Sequence, residues 1–155
     1  MASKEFKWEI LHEGGQQVVL LRGPLNENSH LHEIAAQIAG PTVFDLEGID
    51  RINSCGVREW ILFMEQVRQS GQHTLRRCSP PIVGQLNMIC NFKGITCTVQ
   101  SVMAPFACAA CGVERAAEIA ITGANIKVPQ FACEQCGQAM EFDEVEERYF
   151  LFTKY

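Results

Sequence analysis

The apolar and polar positions of FKWEILHEG and QQVVLLRG read as two strands, with Gly14-Gly15 between them as a hairpin turn. From residue 29 the spacing changes. In SHLHEIAAQIA, Leu31, Ile34, Ala35 and Ile38 recur at helical intervals, with Ser29 and Glu33 near the start and Gly40-Pro41 as the stop. TVFDLEGI is an almost unbroken apolar run, the pattern of a central strand. Val57, Trp60, Ile61, Met64 and Val67 then trace one face of a helix that Gly71 closes. QHTLRRC is a further strand. PPIVGQLNMICNF opens on prolines suited to a helix start and sets Val83, Leu86, Ile89 and Cys90 on one face, and GITCTVQSV ends the series as a strand. The order β-β-α-β-α-β-α-β predicts an α/β fold, a mixed sheet flanked by helices.

Past Ala104 the pattern breaks. FACAACG and FACEQCG appear as near-copies, and an acidic tail follows in which Asp143 and Glu146 make a capping-box pattern before EERYFLF, a predicted terminal helix. The expected division is residues 1–104 as the α/β domain and 105–155 as a small ribbon with that helix. A chain of 155 residues with 47% apolar content has room for one ordinary domain and such an appendage.

Charge excludes one class of partner. Residues 1–104 carry nine basic and ten acidic side chains, and residues 105–155 carry four and eight. Neither half offers the basic surface that a phosphate backbone requires, so no nucleic-acid partner is expected. The apolar stretches are too short to span a bilayer, and no leader-like segment precedes the first charges; a cytoplasmic protein without membrane insertion is expected.

Of eight cysteines, Cys55, Cys78, Cys90 and Cys97 stand singly, whereas Cys108, Cys111, Cys133 and Cys136 form two C-x-x-C-G units. Two intervening residues let both sulfurs of a unit turn toward one ion, and Gly112 and Gly137 supply the positive-φ turn behind them. Four thiolates make a closed tetrahedral set suited to structural Zn²⁺, with iron the less favoured occupant. No ligand position is left for water, so the metal is expected to support folding rather than catalysis. The two histidines of HLH, His30 and His32, lie two apart on a helix and do not share a face, which argues against joint ligation.

The element order, and the stretch VFDLEGIDRINSCGVREWILFMEQVRQSGQHTLRRCSPPIVGQL, resemble the STAS family typified by bacterial anti-sigma-factor antagonists, over roughly residues 5–103. That family carries Asp-Ser-Ser-Gly at the start of a helix, and a partner kinase phosphorylates the second serine. The resemblance places the family's Asp on Asn53, its first Ser on Ser54, its phosphoacceptor on Cys55 and its Gly on Gly56. It implies a non-enzymatic signalling module bound to a protein partner, such as a kinase-type anti-sigma factor or another regulator. A thiol is no substrate for a serine kinase, so the usual switch is not expected at Cys55.

Ser54 is expected to cap the helix that follows. A helix N-terminus also favours a thiolate, which raises a redox role for Cys55, or for an iron-loaded tetracysteine site, as one alternative. STAS-like subunits also accompany membrane transporters, which makes a cytoplasmic accessory subunit another. Leu62 and Phe63 fall outside the main apolar stripe of their helix, and the ribbon or a partner is expected to cover them.

Overall fold

A computed structural model of the chain describes residues 5–123 and 126–154. The opening hairpin joins β1 (Lys7–Glu13) to β2 (Gln16–Leu25). Gly14 and Gly15 both adopt positive φ, +58° and +82°, the left-handed pair that a two-residue hairpin turn demands. Next come α1 (Leu31–Ala35), β3 (Thr42–Ile52), α2 (Ser54–Val67), β4 (His73–Arg76), α3 (Pro80–Met88) and β5 (Cys97–Val99). These strands form one sheet in the order β1-β2-β3-β4-β5; β1 and β2 are antiparallel and the other pairs parallel. The chain is therefore α/β with a mixed five-stranded sheet, and the apolar β3 occupies its centre. Among the described residues, no helix is long and apolar enough to cross a membrane.

Two helices end sooner than their sequence pattern suggests. In α1 only Leu31 and Ile34 are buried, and past Ala35 the chain tightens into i→i+3 bonds, Gln37 N to Ile34 O and Ile38 N to Ala35 O. In α3, Ile82, Val83 and Leu86 are buried, but Ile89 turns extended (φ −122°, ψ 115°) and Cys90 is exposed. The face expected to include Cys90 stops short of it.

The core is built on Phe44 of β3. Its ring meets Trp60 at 6.2 Å, Phe63 at 5.4 Å and His73 at 5.6 Å. Phe63 is 1% exposed, which corrects its expected place on the outer side of α2. Positions 60, 63, 64 and 67 follow the i, i+3, i+4, i+7 rule, so Phe63 belongs to the buried stripe. Leu62, 51% exposed, is the one that faces outward. His73 is buried and neutral: Nδ1 accepts from the Thr42 N–H (3.2 Å), so Nε2 carries the proton and donates to the Val67 carbonyl (2.6 Å).

Asp45 sits one residue from Phe44 and therefore on the opposite face of β3. It is 3% exposed, and a buried carboxylate persists only when paired. Arg76 Nε and Arg77 Nε each donate to its Oδ2 at 2.8 Å, while the Glu47 N–H donates to Oδ1. Arg76 also reaches Glu13, and Arg77 reaches Glu47, so the two cations tie β1, β3 and β4 together.

A second sheet follows, β6 (Ser101–Ala107), β7 (Glu114–Ala120) and β8 (Glu141–Phe142), antiparallel in the order β7-β6-β8. The expected division between residues 104 and 105 falls inside β6. An isolated bridge ties that strand to the residue two beyond β4: Cys78 N donates to Ser101 O, and Met103 N to Cys78 O. The Arg77 N–H donates to Ser101 Oγ, which donates to Glu118 at 2.6 Å. The shift in composition marks new chemistry along the chain, not a break in its hydrogen bonds.

The tail ends in α4 (Glu146–Tyr149) and a 3₁₀ turn over Leu151–Lys154, shorter than one continuous helix. The capping box does not form. Val145 occupies the cap position without a side-chain bond, and the Asp143 N–H donates to Pro105 O at 2.9 Å instead. Tyr149 OH donates to Met103 O at 2.6 Å, and Asn87 on α3 donates to Tyr149 O while accepting from Phe152 N. Phe106, Phe131, Phe142, Tyr149 and Phe150 pack ring to ring and join the same core as Phe44.

Candidate functional site

The two Cys units fold as twins. Gly112 N donates to Cys108 O and Gly137 N to Cys133 O, both at 2.8 Å, with Gly112 and Gly137 at φ +79° and +78°. Cys108 N then donates to Val113 O, and Cys133 N to Gln138 O. The phenylalanine that opens each copy completes the likeness, with the Phe106 and Phe131 rings 4.8 Å apart. The Arg115 guanidinium lies 4.6 Å over Phe131 and 3.8 Å from the Glu134 carboxylate.

These turns bring all four sulfurs within 4.8 Å of one another. Cys108 Sγ lies 3.4 Å from Cys136 Sγ, and Cys111 Sγ lies 3.6 Å from Cys133 Sγ. A metal–sulfur bond of about 2.3 Å implies tetrahedral edges of roughly 3.8 Å, so the cluster has the size a single ion needs. Among the described residues it is the one group of three or more metal-ligating side chains brought together; His30 and His32, edge-on at 5.8 Å, belong to no such group.

Backbone dipoles favour thiolate at the first cysteine of each unit. The Cys111 N–H pulls Cys108 down to about 7, and the Cys136 and Gln135 N–H groups lower Cys133. At Cys111 the Val113 N–H also favours thiolate, but desolvation and the surrounding sulfurs outweigh it and push this thiol up to about 12. At Cys136 the Gln138 N–H is likewise outweighed, chiefly by the Cys108 sulfur, and the thiol is raised. Four negative sulfurs repel one another at this range, and a divalent cation is what relieves that repulsion.

The second candidate region is the loop from β3 into α2. Asn53, not Ser54, caps the helix: its Oδ1 accepts from Gly56 N at 2.8 Å, and Ser54 is already the first helical residue. Asn53 satisfies the cap as well as the serine would, and one position earlier. Its Nδ2 donates to Glu27 at 3.1 Å, and Glu27 is held below the usual carboxylate range by its own N–H and by Asn53. Gly56 is required by space, because a Cβ there would lie 2.1 Å from the Leu25 carbonyl oxygen. Ser54 and Cys55 are exposed on the same turn. Neighbouring Asn26 and Ser29 brace the loop after β2: Asn28 N donates to Asn26 Oδ1, and Asn26 N to Ser29 Oγ. The sequence singled out residues 53–56 but not Glu27, whose link to Asn53 spans 26 positions without a local signature.

Comparison of the chain with protein-family models and with curated proteins returned no match. The fold and the two sites therefore define the protein as an α/β chain with a tetracysteine cluster near its C-terminus.

Proposed function

We propose that the protein is a non-enzymatic, STAS-like interaction module in which Cys108, Cys111, Cys133 and Cys136 hold a structural Zn²⁺. The observation that carries the metal assignment is the pair of twin turns converging four sulfurs at tetrahedral spacing. Zinc suits an all-sulfur, four-coordinate set, and such a set leaves no coordination position for a substrate. The ion would join β6 to the segment before β8, holding together a region whose strand β7 buries only Ile119. Metal analysis of natively purified protein tests this. One zinc per chain is expected; iron, or no metal, would overturn the assignment.

The interaction reading is supported by the order of elements in the first sheet and by the exposed Ser54-Cys55 turn at the head of α2. The partner is a protein regulator, for which a kinase-type anti-sigma factor is the leading candidate. With Cys55 at the position of the family's phosphoacceptor, binding does not answer to serine phosphorylation there. Site-specific photo-cross-linking in the native cell checks the surface. A discrete protein adduct is expected from position 55 and none from Thr98, exposed on β5; equal yields from both positions would count against the loop.

A further inference from the structure

The sulfurs are not equally accessible, and the two close pairs between the turns follow a rule. Cys108 and Cys133 are buried, whereas Cys111 and Cys136 are exposed. Each of the two short contacts joins one exposed residue of one turn to one buried residue of the other, Cys136 to Cys108 and Cys111 to Cys133. An oxidant from solvent therefore meets Cys111 or Cys136 first, and a thiol placed to resolve the product lies across the cluster, 3.4 Å from Cys136 and 3.6 Å from Cys111.

We infer that the tetracysteine site is a peroxide-responsive switch that closes two disulfides between its turns, Cys108–Cys136 and Cys111–Cys133, and releases its metal. The inference rests on the zinc reading above and adds its regulation.

The chemistry balances with hydrogen peroxide as oxidant. The exposed Cys136 thiolate attacks the O–O bond; an S–O bond forms, O–O breaks and hydroxide leaves. The Cys108 thiolate then attacks that sulfur; S–S forms, S–O breaks and a second hydroxide leaves. Two thiolates lose two electrons, and one peroxide gains them. A second peroxide does the same at Cys111 and Cys133. All four ligands are then consumed, and the ion departs.

The pairing decides what happens to the fold. Bonds between the turns keep residues 108–136 a closed loop, so β6, β7 and β8 stay together without metal. Bonds within each C-x-x-C unit would leave the two turns free to separate. The charge also changes: four thiolates around Zn²⁺ carry a net −2, and two disulfides carry none. The acidic half of the chain thus becomes less negative while holding its shape. Thiol reductant with added zinc reverses the change.

The test uses the zinc-loaded full chain with Cys55→Ser and Cys90→Ser, which removes the two other exposed thiols. Zinc content is measured first. The protein is then titrated with hydrogen peroxide while a chromogenic chelator reports zinc release, and disulfides are mapped by fragmentation of peptides prepared in acid. Release at two peroxides per zinc is expected, with the Cys108 and Cys136 peptides joined, the Cys111 and Cys133 peptides joined, and amide protection kept in β6 and β7. Disulfides within the C-x-x-C units, the alternative cross pairing, or zinc retained through oxidation would each overturn the switch. Zinc-free starting protein would instead overturn the metal reading, so the two failures are separable.

Discussion

The halves of this molecule reach order by different means. The five-stranded sheet buries Phe44, Trp60, Phe63 and Phe92 completely or nearly so, each side chain contributing about 1.5–3 kcal/mol by leaving water. The ribbon has one mostly exposed strand, β7, and a two-residue strand, β8. It depends on sulfur convergence and on contacts with the first half, including Tyr149 on Met103 and Asn87 on the tail. A segment can thus have its own chemistry while its strand β6 stays bridged to the first half at Cys78.

The strongest challenge to that contrast is metal removal. Structural zinc contributes on the order of 10 kcal/mol to small metal-held folds. Chelation should erase amide exchange protection between residues 108 and 136 while leaving β2 and β3 protected. Equal loss in both halves would show a single unit held by the ion. Phe44→Ala should act from the other side, costing about 3–5 kcal/mol in urea unfolding by opening a cavity beneath three aromatic rings.

Two finer changes probe the seams. Tyr149→Phe removes the bond to the Met103 carbonyl while keeping the ring, and should destabilise by about 1–2 kcal/mol. In exchange experiments its effect should appear in β6 and α4 together; an effect confined to α4 would show that the tail is independent. Asn53→Ala removes the α2 cap and should cost about 1 kcal/mol, fraying the Ser54–Val57 turn in amide exchange. Asn53→Ser should restore most of that loss, because serine caps as well.

What the sequence made legible was local. Gly14-Gly15 announced the hairpin, the apolar run announced β3, and the repeated Phe-Ala-Cys-x-x-Cys-Gly announced the cluster, each within a few residues. Asp45 stayed hidden within that same run. Its partners, Arg76 and Arg77, lie 31 and 32 positions away, and only the pairing of β3 with β4 brings them close. Phe63 was misplaced because a buried helical stripe is wider than one row of residues. The cap moved from Ser54 to Asn53 because both side chains can do that work, and the bond to Gly56 N decided between them. The division at residue 104 followed composition, and that position lies inside β6.

Asn87 carries a practical consequence for anyone handling this protein. Its amide group holds both the Tyr149 carbonyl and the Phe152 N–H, so the turn over Leu151–Lys154 is clasped by a helix from far upstream. Truncation before Tyr149 would strip that clasp and uncover the Met103 carbonyl in the same cut.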